Sequence, residues 1–253
     1  MTNNQFELTG KVAVVTGCGG GLGQGMALAL ANAGCDIVGV TTSSPDDTME
    51  KVTQAGRQFI SVQADLTYTK DIPSIIEQAV DKLGQMDILV NNAGIIRRNA
   101  AIEFSEQDWD DVMDINLRTA FFLSQAVARQ FIRQGSGGKI INIASMLSFQ
   151  GGIHVPSYTA SKSGIAGITR AMANEWAHHG INVNAIAPGY MATKNTQALR
   201  SDDQRNQAIL DRIPAGRWGT PDDLAGPCVF LSSQASNYIN GYTIAVDGGW
   251  LAR

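Results

Sequence analysis

A tyrosine and a lysine stand four residues apart in "SYTASKSG", residues 157–164, amid small side chains. On a helix, positions i and i+4 project from one face about 5–6 Å apart at Cβ, so Tyr158 and Lys162 can address one bound molecule. The pairing turns a poor proton-transfer group into a useful one. A phenol titrates near 10, and bringing it to neutrality requires a preference for phenolate of about 4 kcal/mol. An ammonium about 4 Å away supplies roughly that at an effective dielectric near 20, before the opposing cost of desolvation. Upstream, "IINIASMLS" carries Ser145 at the end of an apolar run, where its hydroxyl can bond the same oxygen that Tyr158 serves. Asn116 interrupts the amphipathic stretch "DVMDINLRTAFF", and Asn91 and Asn92 close "DILVNNAG". Taken singly, each asparagine reads as a cap, a turn or a buried amide.

These residues need a scaffold that brings strand ends and a helix face together. Apolar runs rich in β-branched residues recur as "VAVVTG", "CDIVGV", "FISVQADL", "DILVNNAG", "KIINIAS", "NVNAIAPG" and "YTIAVDGG", separated by stretches of helical period. Runs apolar on both faces suit buried parallel strands, and their alternation with helices predicts a doubly wound, Rossmann-type α/β fold. The expectation is seven parallel strands with helices on both faces, in one domain spanning 1–253. "LGQGMALALANAG" predicts a helix closed by Gly34, and "YTASKSGIAGITRAMANEWAHHG" a long one closed by Gly180. Loops are expected at 41–47, 133–138 and 190–204.

"TGCGGGLG", residues 16–23, follows the first strand and opens the first helix, the context that gives a glycine pattern meaning. Gly17, Gly21 and Gly23 allow a tight turn and close approach of a pyrophosphate, whose charge the free amides of a helix N-terminus stabilise. Asp65, in "QADL" at the end of the third strand, is placed to accept from an adenine amino group. The second strand ends at Thr41, where an aspartate would grip the ribose hydroxyls of NAD. Yet no Arg or Lys stands in the glycine loop or between Thr41 and Glu50 to neutralise a 2′-phosphate, and Asp46 and Asp47 would repel one. The balance favours NAD over NADP.

Together these residues resemble the short-chain dehydrogenase/reductase family, from about residue 8 to the chain's end. "TGCGGGLG" is similar to its TGxxxGxG element, "NNAG" and Asn116 stand in its order, and Ser145 with "YTASK" looks like its catalytic core. The resemblance implies that Tyr158 is the acid/base, that Lys162 lowers its pKa and holds the nicotinamide ribose, that Ser145 orients the carbonyl, and that Asn116 holds a relay water. It further implies cofactor contacts from Leu22, Leu66, Asn92, Ala93 and Gly94, and from Pro188, Gly189 and Thr193 of "PGYMAT" at the carboxamide.

The phrases "ASMLSFQGG", "VPSYTASKSG", "RIPAGRWG" and "NGYTIAVDGGWLAR" narrow the resemblance to the family's sugar-acid members. That implies NAD-linked interconversion of a hydroxyl and a ketone on a deoxy keto sugar acid. An acid needs positive charge nearby. Arg97 and Arg98 follow "NNAGII" on a loop leaving a strand, and a guanidinium binds a carboxylate bidentately; two solvated arginines are the bland alternative. His154 lies between Ser145 and Tyr158 but is mostly neutral at pH 7. Met146, Gln150 and Met191 are plausible lining, whereas Arg217 reads as structural. The competing enzyme readings are a ketoreductase of acyl carrier protein thioesters, which would want basic surface, and another polyol or ketone dehydrogenase. A dinucleotide-sensing binding protein is the competing reading outside enzymes, and it has no need of Ser145, Tyr158 and Lys162.

Composition bounds the rest. The 253 residues are 44% hydrophobic, ample for a core, and the net charge of −4 comes from interspersed charges without the basic run that nucleic acid requires. No apolar stretch reaches the length of a membrane span and the N-terminus lacks a signal-peptide plan, so a cytoplasmic protein is expected. Cys18, Cys35 and Cys228 have no disulfide or metal spacing; Cys18, inside the glycine loop, could be exposed. The resemblance implies a homotetramer, with the C-terminal segment around Trp250 near an interface.

Overall fold

The seven apolar runs become β1 Val12–Thr16, β2 Asp36–Thr41, β3 Phe59–Gln63, β4 Ile88–Asn91, β5 Gly138–Ile143, β6 Ile181–Pro188 and β7 Thr243–Val246. The computed structural model describes residues 4–253, so the first three residues of the expected 1–253 domain lie outside the described residues. Every pairing is parallel, in the order β3-β2-β1-β4-β5-β6-β7. Nine α-helices pack around this sheet among the described residues: α1 Gly21–Asn32, α2 Asp46–Gln54, α3 Ile72–Leu83, α4 Glu106–Met113, α5 Ala120–Gln134, α6 Pro156–Trp176, α7 Gln197–Arg200, α8 Asp203–Leu210 and α9 Ala225–Ser232.

Alternation along each strand divides the core into two layers. Val12 and Val14 face Ile75 of α3, Leu123 and Phe131 of α5 and Met172 of α6. Ala13 and Val15 face the other way, onto Met26 and Leu30 of α1, Val52 of α2 and Leu231 of α9. Each fully buried side chain of this size contributes about 1.5–3 kcal/mol on leaving water. Phe131, fully buried, is the single truncation that would cost most, about 3–5 kcal/mol as Phe131→Ala. The doubly wound sheet with helices on both faces is the fold that forms.

The chain order reverses at β1, flanked by β2 and β4, and ligands of open parallel sheets bind at such a switch, outside the carboxyl ends of the strands. Helix α6 extends to Trp176 and closes through a short 3₁₀ turn at Gly180, in left-handed conformation, as its sequence predicts. Three local expectations are corrected. Strand β3 stops at Gln63, so Asp65 lies beyond it and its carboxylate accepts from the Thr67 amide at 2.9 Å in a local turn. Residues 190–204 are not one loop: Thr193 caps a 3₁₀ turn at Lys194–Thr196, and α7 and α8 follow. Cys18 is fully buried, and desolvation pushes its thiol up to about 11. Trp250 is buried within its own chain against Tyr190, with ring centroids 4.8 Å apart.

Candidate active site

A cavity of about 1140 Å³ opens at the carboxyl ends of β1, β4, β5 and β6. Strand β5 delivers Ser145 two residues past its end, and α6 presents Tyr158 and Lys162 on its first two turns. Ser145 is extended and caps the turn Met146–Ser148, its Oγ accepting from the Leu147 amide at 3.1 Å. Ser148 ties that turn to α6 by donating to the Lys162 carbonyl at 2.6 Å. Because the Ser145 hydroxyl acts as an acceptor in its cap, its own proton remains available for an oxygen in the cavity.

Lys162 donates through Nζ to the Ile143 carbonyl at 2.6 Å, and Nζ stands 5.6 Å from the centre of the Tyr158 ring. Burial drives the Tyr158 phenol up from its ordinary value, while the Ser145 hydroxyl and the Arg98 charge pull it down. Burial lowers Lys162 to about 8. The electrostatics therefore differ from the sequence expectation. The ammonium is anchored to a backbone carbonyl, desolvation dominates at the phenol, and Arg98 is the cation that counters it.

Asn116 is not among the residues that line the cavity. It sits in a π-helical turn, Asp114–Thr119, that joins α4 to α5. Its Oδ1 accepts from the Ile95 amide at 2.8 Å, while Nδ2 donates to the Ile95 carbonyl at 2.9 Å and to Ser161 Oγ at 3.2 Å. Buried amide chemistry thus clamps the segment after β4 to α6, two turns of backbone that both line the site. Single extra-residue turns of this kind recur at functional sites.

At the other end of the cavity, Gly17, Gly21, Leu22, Gly23, Asn92, Ala93, Gly94, Pro188, Gly189 and Thr193 line the wall. Gly17 takes a left-handed φ of 66°, and a Cβ on Gly23 would lie 2.3 Å from the Gly17 carbonyl, so only glycine permits this cradle. Asn92 fixes it from beneath, donating to the Thr16 and Gly17 carbonyls at 2.9 and 3.1 Å. The first turn of α1 has neither an acidic residue nor a side-chain cap, leaving its amides for an anion. Thr41, Asp65 and Leu66 lie outside this cavity. Thr41 is buried with its hydroxyl bonded to the Ser43 carbonyl, Leu66 is buried in the core, and Asp65 is exposed.

The expected substrate residues separate. Arg98, Met146, Gln150, His154 and Met191 line the cavity, but Arg97 does not: its guanidinium bridges Asp108 and Asp111 of α4, both at 3.2 Å. Adjacent residues on one extended segment point in different directions, and only Arg98 reaches the site. Arg217 makes two bonds to Asp223, at 2.7 and 2.8 Å, as a structural clamp. His154 adopts a left-handed backbone, φ 62°, and its carbonyl accepts from the Asn99 amide at 3.0 Å.

Sequence reasoning missed Lys194, Arg205 and Arg212, which also line the wall. Among the described residues the lining carries five cationic side chains, Arg98, Lys162, Lys194, Arg205 and Arg212, and no aspartate or glutamate, in a chain whose net charge is −4. No spacing distinguishes those three from solvated surface cations. Such a wall focuses positive potential on whatever enters.

Comparison with known proteins gives four findings. A family model described as "Enoyl-(Acyl carrier protein) reductase" matches residues 17–251. The chain is 69% identical over 253 residues, the whole of both chains, to 2-dehydro-3-deoxy-D-gluconate 5-dehydrogenase of Escherichia coli K12. It is 54% identical over 252 residues, 99% of this chain and 98% of the other, to the protein of that name from Bacillus subtilis 168. Among solved structures, a gluconate 5-dehydrogenase from Burkholderia cenocepacia J2315 in complex with NADP and tartrate matches with a TM-score of 0.94 at 37% identity, covering 99% of this chain and 98% of that one.

Proposed function

Because this chain belongs to the short-chain dehydrogenase/reductase family, we propose that it is an NAD-dependent oxidoreductase interconverting 2-dehydro-3-deoxy-D-gluconate and its 5-keto partner, 2,5-diketo-3-deoxygluconate. The observation that carries the reading is the wall itself: the phenol, ammonium and hydroxyl of proton transfer share one cavity with three unpaired arginines and no carboxylate among the described residues. A sugar acid benefits from that charge. The uncharged acyl chain of a carrier-protein thioester gains nothing from it, although the matching family model bears such a name. The full-length relatives named as sugar-acid dehydrogenases support the same choice.

A dinucleotide fits the residues present. The glycine cradle and free amides of α1 would hold the pyrophosphate, Lys162 the nicotinamide ribose, and Pro188, Gly189 and Thr193 the carboxamide end. When bound, the nicotinamide supplies the hydride acceptor or donor. The chain's own part is proton movement and orientation. Tyr158 Oη takes the carbinol proton during oxidation and returns it during reduction, a contribution of about 10²–10⁴-fold for a positioned acid/base. Ser145 Oγ donates to the same oxygen and fixes its direction. Lys162, anchored on Ile143, and Arg98 both supply positive charge that favours the developing phenolate. The absence of cations between Thr41 and Glu50 supports NAD, whereas the B. cenocepacia relative holds NADP.

We take residues 1–253 to act as one catalytic domain, working in the cytoplasm as a homotetramer; no helix of the described chain is long and apolar enough to cross a membrane, and exposed Tyr238 and Tyr242 offer apolar area for assembly. The test is to supply 2-dehydro-3-deoxy-D-gluconate with NAD⁺ or NADP⁺ and follow absorbance of the reduced cofactor. Faster turnover with NAD⁺, with a new carbonyl at C5 in the product, supports the reading; turnover of neutral polyols in preference to the acid overturns it.

A further inference from the structure

The proposed reading leaves open which cation holds the substrate's carboxylate, and on that reading we infer that Arg212, stacked on Trp250, with Arg205 also on the cavity wall, is the C1 carboxylate receptor that sets which carbon meets Tyr158. The Arg212 guanidinium carbon lies 4.0 Å from the Trp250 ring centroid. Stacking holds a guanidinium by its face and leaves its in-plane N–H groups for a planar acceptor, the geometry that carboxylates match bidentately. Among the described residues neither Arg205 nor Arg212 forms an ion pair. The one side-chain acceptor for Arg212 is Gln150 Oε1, at 3.5 Å, itself on the cavity wall.

The shelf beneath Arg212 is rigid. Trp250 is 5% exposed and packs edge-on against Tyr190, and its short turn is pinned where Asp247 accepts from the Gly249 and Leu251 amides, each at 2.9 Å. The indole Nε1–H is buried and has no acceptor in the protein. Buried donors are almost always paired, and this unpaired one belongs to the same ring on which the Arg212 guanidinium rests.

The arginines also divide by position. Arg212 shares its part of the wall with Trp250, Gln150 and, edge-on to Trp250, Tyr190, whereas Arg98 follows β4 and its charge bears on the Tyr158 phenol. Arg98 therefore stands by the reacting group, and Arg212 on the part of the wall formed by Trp250 and Gln150. In a six-carbon acid C5 lies four bonds from C1, and a carboxylate fixed on the Trp250 shelf extends the chain so that the distal hydroxyl, not one near the acid, reaches Ser145 and Tyr158. Specificity for a distal carbon follows from where the charge is held.

The test is steady-state kinetics on the holoenzyme with 2-dehydro-3-deoxy-D-gluconate and with its C1 amide, in wild type, Arg212→Met, Arg212→Lys and Arg98→Met. Arg212→Met is expected to raise KM for the acid about 10–100-fold, far more than it lowers kcat, and to erase the preference for acid over amide. Arg212→Lys, which keeps charge but loses the fork, recovers only part of it. Unchanged KM in Arg212→Met, or loss of the acid preference in Arg98→Met instead, overturns the assignment. If wild type fails to oxidise the sugar acid, the proposed function fails; titration of D-gluconate into the NADH complex then decides the receptor separately. Weaker binding in Arg212→Met sustains it, and equal binding overturns it.

Discussion

A buried lysine and a half-buried one, at opposite ends of the same sheet, have similar electrostatics and different work. Lys162 lies at the carboxyl end, and Lys139 at the start of β5. Burial lowers both to about 8. Each takes neutral oxygen acceptors: Lys162 the Ile143 carbonyl, Lys139 the side chains of Asn182 and Asn237 at 2.9 and 2.7 Å. What differs is the company. Lys162 has a phenol on its own helix face and a large cavity before it, whereas Lys139 ties β6 to the segment before β7 beside a smaller cavity that also holds the Lys11–Asp87 pair. A perturbed lysine by itself thus marks burial; geometry decides whether it is chemistry.

Substitutions at both ends test that contrast. Lys162→Met should lower kcat/KM about 10³-fold, and at pH 7 stabilise the fold by about 1–2 kcal/mol after the lost bond to Ile143 is counted. The sign follows from linkage. The folded lysine releases its proton near 8 and the unfolded one near 10.5, so stability rises with pH between those values as the buried charge is relieved. Denaturant titrations across that window should show a flatter slope in the variant. Ser145→Ala should cost about 10²-fold in kcat and slightly loosen the turn it caps. Asn116→Ala should remove the clamp between Ile95 and Ser161, costing about 2–3 kcal/mol and about tenfold in kcat, with cofactor binding nearly intact. At the other end, Lys139→Met should leave kcat/KM within about twofold while flattening the same pH window of stability. A large loss of activity in Lys139→Met would break the comparison.

The two ends also differ in how much of them the sequence reveals. The sheet was legible because its strands are buried on both faces and read as continuous apolar runs. Tyr158, Lys162 and Ser145 were legible because a helix and a strand end place them by local spacing alone. Asn116 was recognisable, but its π-turn was not, since one extra residue leaves the amphipathic pattern of the flanking helices intact. Arg97 and Arg98 look equivalent in sequence; only the acids of α4, packed beside one of them, separate the two. Arg205 and Arg212 were invisible because only tertiary folding brings them to the cavity wall, and Arg212 onto Trp250, a partner far along the chain.

The central claim is that Tyr158 moves the proton for hydride transfer on a sugar acid held at this cavity. Turnover of 2-dehydro-3-deoxy-D-gluconate and NADH binding, measured side by side in wild type and Tyr158→Phe, test it most directly. The expected result is unchanged NADH affinity with turnover reduced about 10³-fold. Turnover that survives the loss of the phenol would contradict it.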